Sequence, residues 1–199
     1  MSLPIIVGIT GASGVVYGQR LVEVLIQLGH TIHLSISTSG QQVLNHERKS
    51  KVDLNAFQIE DLIPGARPSP GQLIYHHYQD FMTPIASGSF KTRAMVICPC
   101  SGSTLSGIAT ASSGNLIQRA ADVHLKERRP LILVPRETPL SLLQIENLQK
   151  VTLAGATVLP ASPGFYHGAE RVEQLIDFIV ARILDQLGID QQLMKQWGT

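Results

Sequence analysis

The sequence has no surplus of charge of either sign. Sixteen Lys and Arg stand against fifteen Asp and Glu, a formal net charge of +1 over 199 residues. So weak a field does not gather nucleic acid or an anionic membrane, and neither is expected as a partner. Cysteine is almost absent. Cys98 and Cys100 are separated by one residue and lack a CxxC spacing, so they are expected as small buried residues in a reducing, cytoplasmic setting. No charged leader with a cleavage site and no apolar run of membrane-spanning length occurs, so no membrane role is expected. Asp, His and Cys never cluster at metal-ligand spacing, and the paired His76 and His77 point apart on a strand, as surface or flexible residues. Charged residues make up only 16% against 44% hydrophobic, so apolar area must fill a core and, in excess, subunit contacts. The expectation is one domain over 1–199 with a C-terminal tail from about residue 188.

What is present is an alternation of β-rich runs and amphipathic segments. Strands are expected at Pro4–Ile9, Thr31–Ser37, Leu73–His76, Ala94–Cys98 (ended by Pro99), Leu131–Val134 and Thr157–Leu159. Between them lie helix-like stretches, including one with Val16, Leu21, Leu25 and Leu28 at helical spacing. Ser101–Lys126 has a break around Ser112-Ser113-Gly114; Leu140–Gln149 and Glu170–Leu187 follow. Residues 50–71 are rich in proline and charge. The pattern implies an α/β fold: a doubly wound, mostly parallel sheet in three layers, flavodoxin-like.

Ligands of such sheets bind beyond the carboxyl ends of the strands. Those ends carry Thr10-Gly11-Ala12-Ser13-Gly14, Ser37-Thr38-Ser39-Gly40, Ser101-Gly102-Ser103-Thr104, Arg136-Glu137-Thr138 and the segment 160–166. Small hydroxyl and glycine residues before a helix offer N–H and O–H donors to an anion. The glycines at 8, 11 and 14 are spaced GxxGxxG, and Ser37 stands where a dinucleotide site wants a carboxylate for the ribose. A mononucleotide phosphate fits better than a nicotinamide dinucleotide. A plain strand-to-helix turn, with Ser37 as a helix cap, remains the other reading of this loop.

The blocks VICPCSGST (96–104), NLIQRAADVHLKERR (115–129), VPRETPL (134–140) and GFYH (164–167), with GITGASG (8–14) and ASGSF (86–90), closely resemble the UbiX-type flavin prenyltransferases. The match runs from residue 5 to about 190 and thins between 50 and 80. Older descriptions of this family speak of aromatic-acid decarboxylases. The resemblance implies FMN as cofactor, with reduced FMN as co-substrate and prenylated FMN as product. It implies dimethylallyl phosphate as prenyl donor, a UbiD-type decarboxylase as recipient, and a homo-oligomer, a dodecamer built from trimers. Carried over by position, it places FMN against Gly11, Ala12, Ser13, Ser37, Ser101, Gly102, Ser103, Thr104 and Arg136. It assigns the dimethylallyl phosphate to Tyr166, Arg182 and Lys126, with Glu47 and Arg119 from a neighbouring subunit. Ala86, Ser87, Gly88 and Ser89 would line the prenyl pocket, and Trp197 would approach the site from the tail. The chain departs from common members at Gly102 (often Met), Gly114 (often Asp) and Gln144 (often His).

The implied reaction breaks an allylic C–O bond as flavin N5 attacks carbon, then closes a ring at C6 with loss of a proton. Without a metal, the departing phosphate needs protein cations and hydroxyls, which Lys126, Arg136, Arg182 and Tyr166 supply. Glu137 and the Ser13 hydroxyl suit the proton transfer, and Lys126 and Glu47 are counted with them as catalytic. Each residue also has a plainer reading. Lys126 can complement a helix dipole, Glu137 can favour a helix start, and Tyr166 can be a packing tyrosine. Two further functions stand beside the first: an FMN-dependent cysteine decarboxylase of related fold, and a non-catalytic flavin carrier for a decarboxylase.

Overall fold

Runs such as Ile5–Ile9 and Ile32–Ile36 bury every side chain, which is what strands covered on both faces require. The structure is a computed structural model that describes residues 3–194. Its strands are β1 (Ile5–Ile9), β2 (Ile32–Ile36), β3 (Leu73–Tyr75), β4 (Ala94–Cys100), β5 (Leu131–Pro135) and β6 (Thr157–Val158). Its helices are α1 (Val15–Gln27), α2 (Thr38–Arg48), α3 (Ile59–Leu62), α4 (Gly102–Ala109), α5 (Leu116–Lys126), α6 (Leu142–Leu153) and α7 (Val172–Gln186). All strand pairs are parallel, in the order β3-β2-β1-β4-β5-β6, so the expected doubly wound sheet is present.

Two apolar layers flank the sheet. On one face Leu21, Leu25, Ile179 and Ile183 of α1 and α7 pack on Val7, Ile36 and Val96. On the other, Leu105, Ile108, Ile117 and Ala121 of α4 and α5 pack on Ile6, Met95 and Leu133. Helix α1 lies so close to the sheet that a Cβ on Gly18 would fall 2.0 Å from the Cys98 carbonyl oxygen.

Several local expectations change. Strand β4 does not stop at Pro99 but runs through it to Cys100. The register shifts between Ile97 and Cys100, so the ladder passes over the residue that has no N–H to give. Leu28, at the end of α1, is 46% exposed, and Val172 at the start of α7 is 67% exposed. The stretch 50–71 is less open than its composition suggests, since Val52, Leu54, Leu62 and Ile63 are buried in the α1/α7 layer. The break between α4 and α5 falls where expected, with Ala111 and Ser113 at positive φ.

His76 is a correction. It is 7% exposed, and its Nε2 lies 2.7 Å from Nδ1 of His33, the two rings stacked 5.0 Å apart with Phe90 edge-on to His33. Alternation along β3 turned His77 outward but carried His76 over the sheet. A third imidazole, His124, is fully buried. Its Nδ1 sits 2.7 Å from the Ala120 carbonyl, which can only accept, so Nδ1 carries the proton and Nε2 accepts from the Thr92 hydroxyl at 2.9 Å.

Burial, and then the neighbouring His76, hold His33 down to about 4; burial holds His124 at about 4 and lowers His76. A depressed folded value means that protonation favours the unfolded chain, so the stability these neutral rings carry is complete above the ordinary value near 6.5 and lost toward 4. The urea midpoint at fixed protein concentration is expected to hold above pH 7 and to fall between pH 6.5 and about 4. His124→Gln, which keeps a donor and an acceptor but no titrating ring, should flatten part of that fall. An unchanged slope in this variant would contradict the assignment.

Candidate functional site

The strand order turns between β1 and β4, and the loops leaving these two strands diverge into a crevice there. Thr10 ties the two strand ends. Its buried hydroxyl donates to the Pro99 carbonyl at 2.8 Å and accepts the Ser101 N–H at 2.8 Å, while its own N–H reaches Pro99 at 3.2 Å. Both loops are thereby fixed relative to each other before any ligand arrives.

The β1–α1 loop is shaped by what packs behind it. A Cβ on Gly11 would meet the Ser39 Cβ at 2.3 Å, and one on Gly40 would meet the Ile9 carbonyl oxygen at 2.6 Å. Glycine at both positions lets the first turn of α2 close over the loop. Gly14, at φ +96°, begins α1 without a side-chain cap. Among the described residues, the N–H groups of Ser13, Val15 and Val16 find no acceptor at the positive end of α1, where Val15 itself is buried. Ser13 is exposed beside them, and Ala12 is buried. Ser37 caps α2, its Oγ accepting the Gly40 N–H at 3.0 Å with its own O–H left to donate. Ser101 caps α4 in the same way and touches the hydroxyls of Ser103 (3.2 Å) and Thr104 (3.0 Å).

The β5–α6 loop closes the third side. Arg136 Nε donates to the Ser13 carbonyl at 3.1 Å, which leaves the remaining guanidinium N–H groups for the loop. Glu137 follows, its Oε1 accepting the Thr138 N–H at 3.2 Å and its Oε2 the Gln144 amide at 3.1 Å. Gly102 lies under this pair: a Cβ there would stand 3.3 Å from Gln144 Nε2 and 3.9 Å from Glu137 Oε2. Glu47, expected from a neighbouring subunit, here reaches the Gly14 N–H of its own chain at 3.1 Å.

Tyr166 and Arg182 flank the β6 edge. The Tyr166 ring meets Phe178 edge-on at 5.6 Å, and Phe178 and Arg182, one helical turn apart, line a groove of about 320 Å³ with Thr157, Leu159 and Ser162. Arg182 also bonds Asp185 at 2.7 Å.

Lys126, Arg119 and residues 86–89 form a separate patch. Arg119 donates to the Ala86 carbonyl at 3.1 Å, Arg129 to the Gly88 and Phe90 carbonyls, and Lys126 pairs with Glu127 at 3.0 Å. Helix α5 runs back down the sheet, from Leu116 bonded to Tyr78 to a C-terminus whose next residues deliver the Pro130 carbonyl to Met95, at the start of β4. With about 3.3 Å per strand residue, the length of β4 puts Lys126 roughly 20 Å from the crevice that holds Ser13 and Arg136. One chain does not bring these two groups together. Trp197 lies outside the described residues. A cleft of about 450 Å³ between α1, α2 and α7 is elsewhere again, and its Arg20 is already paired with Asp177 and Glu23.

Burial pushes both thiols up, Cys100 to about 12, so neither is a nucleophile near neutral pH. Among the described residues no three metal-binding side chains converge. Among the described residues no helix is long and apolar enough to cross a membrane. From sequence Thr10 stands only as part of the first strand end and Gln144 only as a departure from the family pattern, neither with a role in the site. A hydroxyl at a strand end and the S-x-x-Q capping pattern at 141–144 were the available signals.

The Flavoprotein family model matches residues 1–184. The flavin prenyltransferase UbiX of Halalkalibacterium halodurans is 47% identical over 96% of this chain and 92% of its own length. A crystal structure of AnUbiX in complex with FMN and dimethylallyl pyrophosphate superimposes with a TM-score of 0.88 at 35% identity, covering 100% of this chain and 99% of that one. A dodecameric FMN-dependent UbiX-like decarboxylase from Escherichia coli gives 0.86 at 34%, over 99% and 100%. The peptidyl-cysteine decarboxylase EpiD, at 14% identity and a TM-score of 0.60 over 94% and 99%, shares the fold alone.

Thr10→Val keeps the shape but leaves the Ser101 N–H without its acceptor and the Pro99 carbonyl with only the backbone N–H of residue 10. It should cost about 1–3 kcal/mol, read as a lower urea midpoint at matched protein concentration. Thr10→Ser should stay close to the parent; equal midpoints for Val and the parent would refute the tie.

Proposed function

This chain belongs to the UbiX flavin prenyltransferases, and from that premise we propose that it alkylates reduced FMN with dimethylallyl phosphate in the crevice between β1 and β4. The observation that carries this placement is the uncapped N-terminus of α1, set beside Arg136 and Glu137. That set fits FMN. Free N–H groups and a guanidinium suit its phosphate, and the Ser37 and Ser101–Thr104 hydroxyls suit a polyol. Reduced FMN, when bound, supplies the nucleophile. The chain's own part is to hold the donor, neutralise the departing phosphate and take a proton.

Tyr166, Arg182, Lys126 and Arg119 are the groups for the phosphate, and charge-assisted bonds from them favour a leaving oxyanion in a water-poor site. Because Lys126 sits at the end of α5 remote from the crevice, it serves a site whose FMN end comes from another copy. The exposed Leu142, Leu143 and Leu153 of α6 are consistent with a covered subunit face. A dodecamer is the assembly we propose. Ala86–Ser89 travel with Lys126 and would line the prenyl chain. Glu137, near the crevice and held by two donors, takes the proton released on ring closure. The product would pass to a UbiD-type decarboxylase in the cytoplasm.

Anaerobic incubation with reduced FMN and dimethylallyl phosphate should yield a flavin heavier by one five-carbon unit. Flavin recovered unchanged with both the mono- and the diphosphate donor would mark the protein as a carrier. Glu137→Gln should slow product formation about 100-fold or more while FMN still binds. Lys126→Ala and Arg136→Ala should each be inactive. Co-assembled one to one, they should regain activity at about a quarter of the sites, where both intact halves meet. No recovery would place both halves in one chain.

A further inference from the structure

Gln144 occupies the third position of α6, where a side chain folds back on the helix start. Its Oε1 accepts the Ser141 N–H at 2.8 Å, and its own N–H is held by Ser141 Oγ at 3.3 Å. With Oε1 committed as acceptor, the other end of the amide must be the NH₂ group, and that group lies 3.1 Å from Glu137 Oε2. A flipped amide would set donor against donor at Ser141 and acceptor against acceptor at Glu137. The second Glu137 oxygen takes the Thr138 N–H at 3.2 Å, and among the described residues Glu137 makes no ion pair. The carboxylate is therefore aimed by two neutral donors. Gly102 leaves the space beside it open, since a Cβ at that position would begin in contact with the amide.

We propose that Gln144 is a positioning residue that aims the Glu137 carboxylate at the crevice across Gly102. The inference rests on the reading that Glu137 takes the proton of ring closure. An amide suits the task because it does not titrate: its N–H donates to the Glu137 oxygen at every working pH. The same side chain is half of the α6 capping box, so the geometry of the base is tied to the start of a helix.

The experiment separates these two duties. Gln144→Glu keeps an oxygen for the Ser141 N–H but turns the donor facing Glu137 into a second carboxylate. The single-turnover rate of ring closure at pH 7 should fall about tenfold or more, with the acid limb of the pH–rate profile moved up by about one pH unit. FMN affinity, read by fluorescence titration, should stay within about twofold. Ser141→Ala, which removes the hydroxyl cap and leaves the amide in place, should keep the parent rate and profile. In a Glu137→Gln background, Gln144→Glu should add no further loss, because the two residues act as a unit. A parent-like pH profile in Gln144→Glu, with Glu137→Gln slow, overturns the positioning role. A Glu137→Gln variant as fast as the parent overturns the assignment of the base instead. Should Gln144→Glu fail to fold by circular dichroism, Gln144→Met, of similar length with neither donor nor acceptor at its end, must slow closure by a comparable factor. An unchanged rate there likewise overturns the role.

Discussion

The Thr10 hydroxyl is the interaction on which the site's geometry depends. It gives the Ser101 N–H its acceptor and the Pro99 carbonyl a second donor beside the Thr10 N–H, and it does so where the sheet's winding reverses. Because β1 and β4 cannot slide past each other, the helices that follow them start from fixed points. The free N–H groups of α1 and the hydroxyl-capped start of α4 then face one crevice as a consequence of strand register. Arg136 adds the third strand end to the same frame through the Ser13 carbonyl.

Close packing of backbones completes the arrangement. Gly18 lets α1 rest on the Cys98 carbonyl, Gly40 lets α2 rest on that of Ile9, and Gly11 lets the first turn of α2 meet the loop. In each case the side chain that is missing is the one that would have held a helix away from the sheet. An anion at the start of α1 is thus met by groups already in place, and little reorganisation is left to binding.

The fold was readable because buried parallel strands show as uninterrupted apolar runs, and β1 and β5 announce themselves this way. The course of β4 was not, because proline reads as a terminator unless the ladder can step over it. The partnership of His33 with His76 escaped for a related reason. Alternation assigns a strand residue to a face but does not say which face a neighbouring loop covers. The crevice loops were legible as hydroxyl- and glycine-rich strand ends, yet their chemistry came from resemblance to known enzymes. Local spacing predicted a phosphate and no more. The separation of Lys126 from Arg136 is not in any local pattern, since it follows from the direction in which α5 returns along the sheet.

The two cysteines acquire a meaning from the chemistry around them. A reduced flavin that escapes its reaction meets oxygen and yields peroxide, whose ready target in a protein is a thiolate. Cys98 and Cys100 are at most 1% exposed, and burial keeps both thiols protonated. Packing chosen for a central strand also makes the chain a poor scavenger of its own by-product.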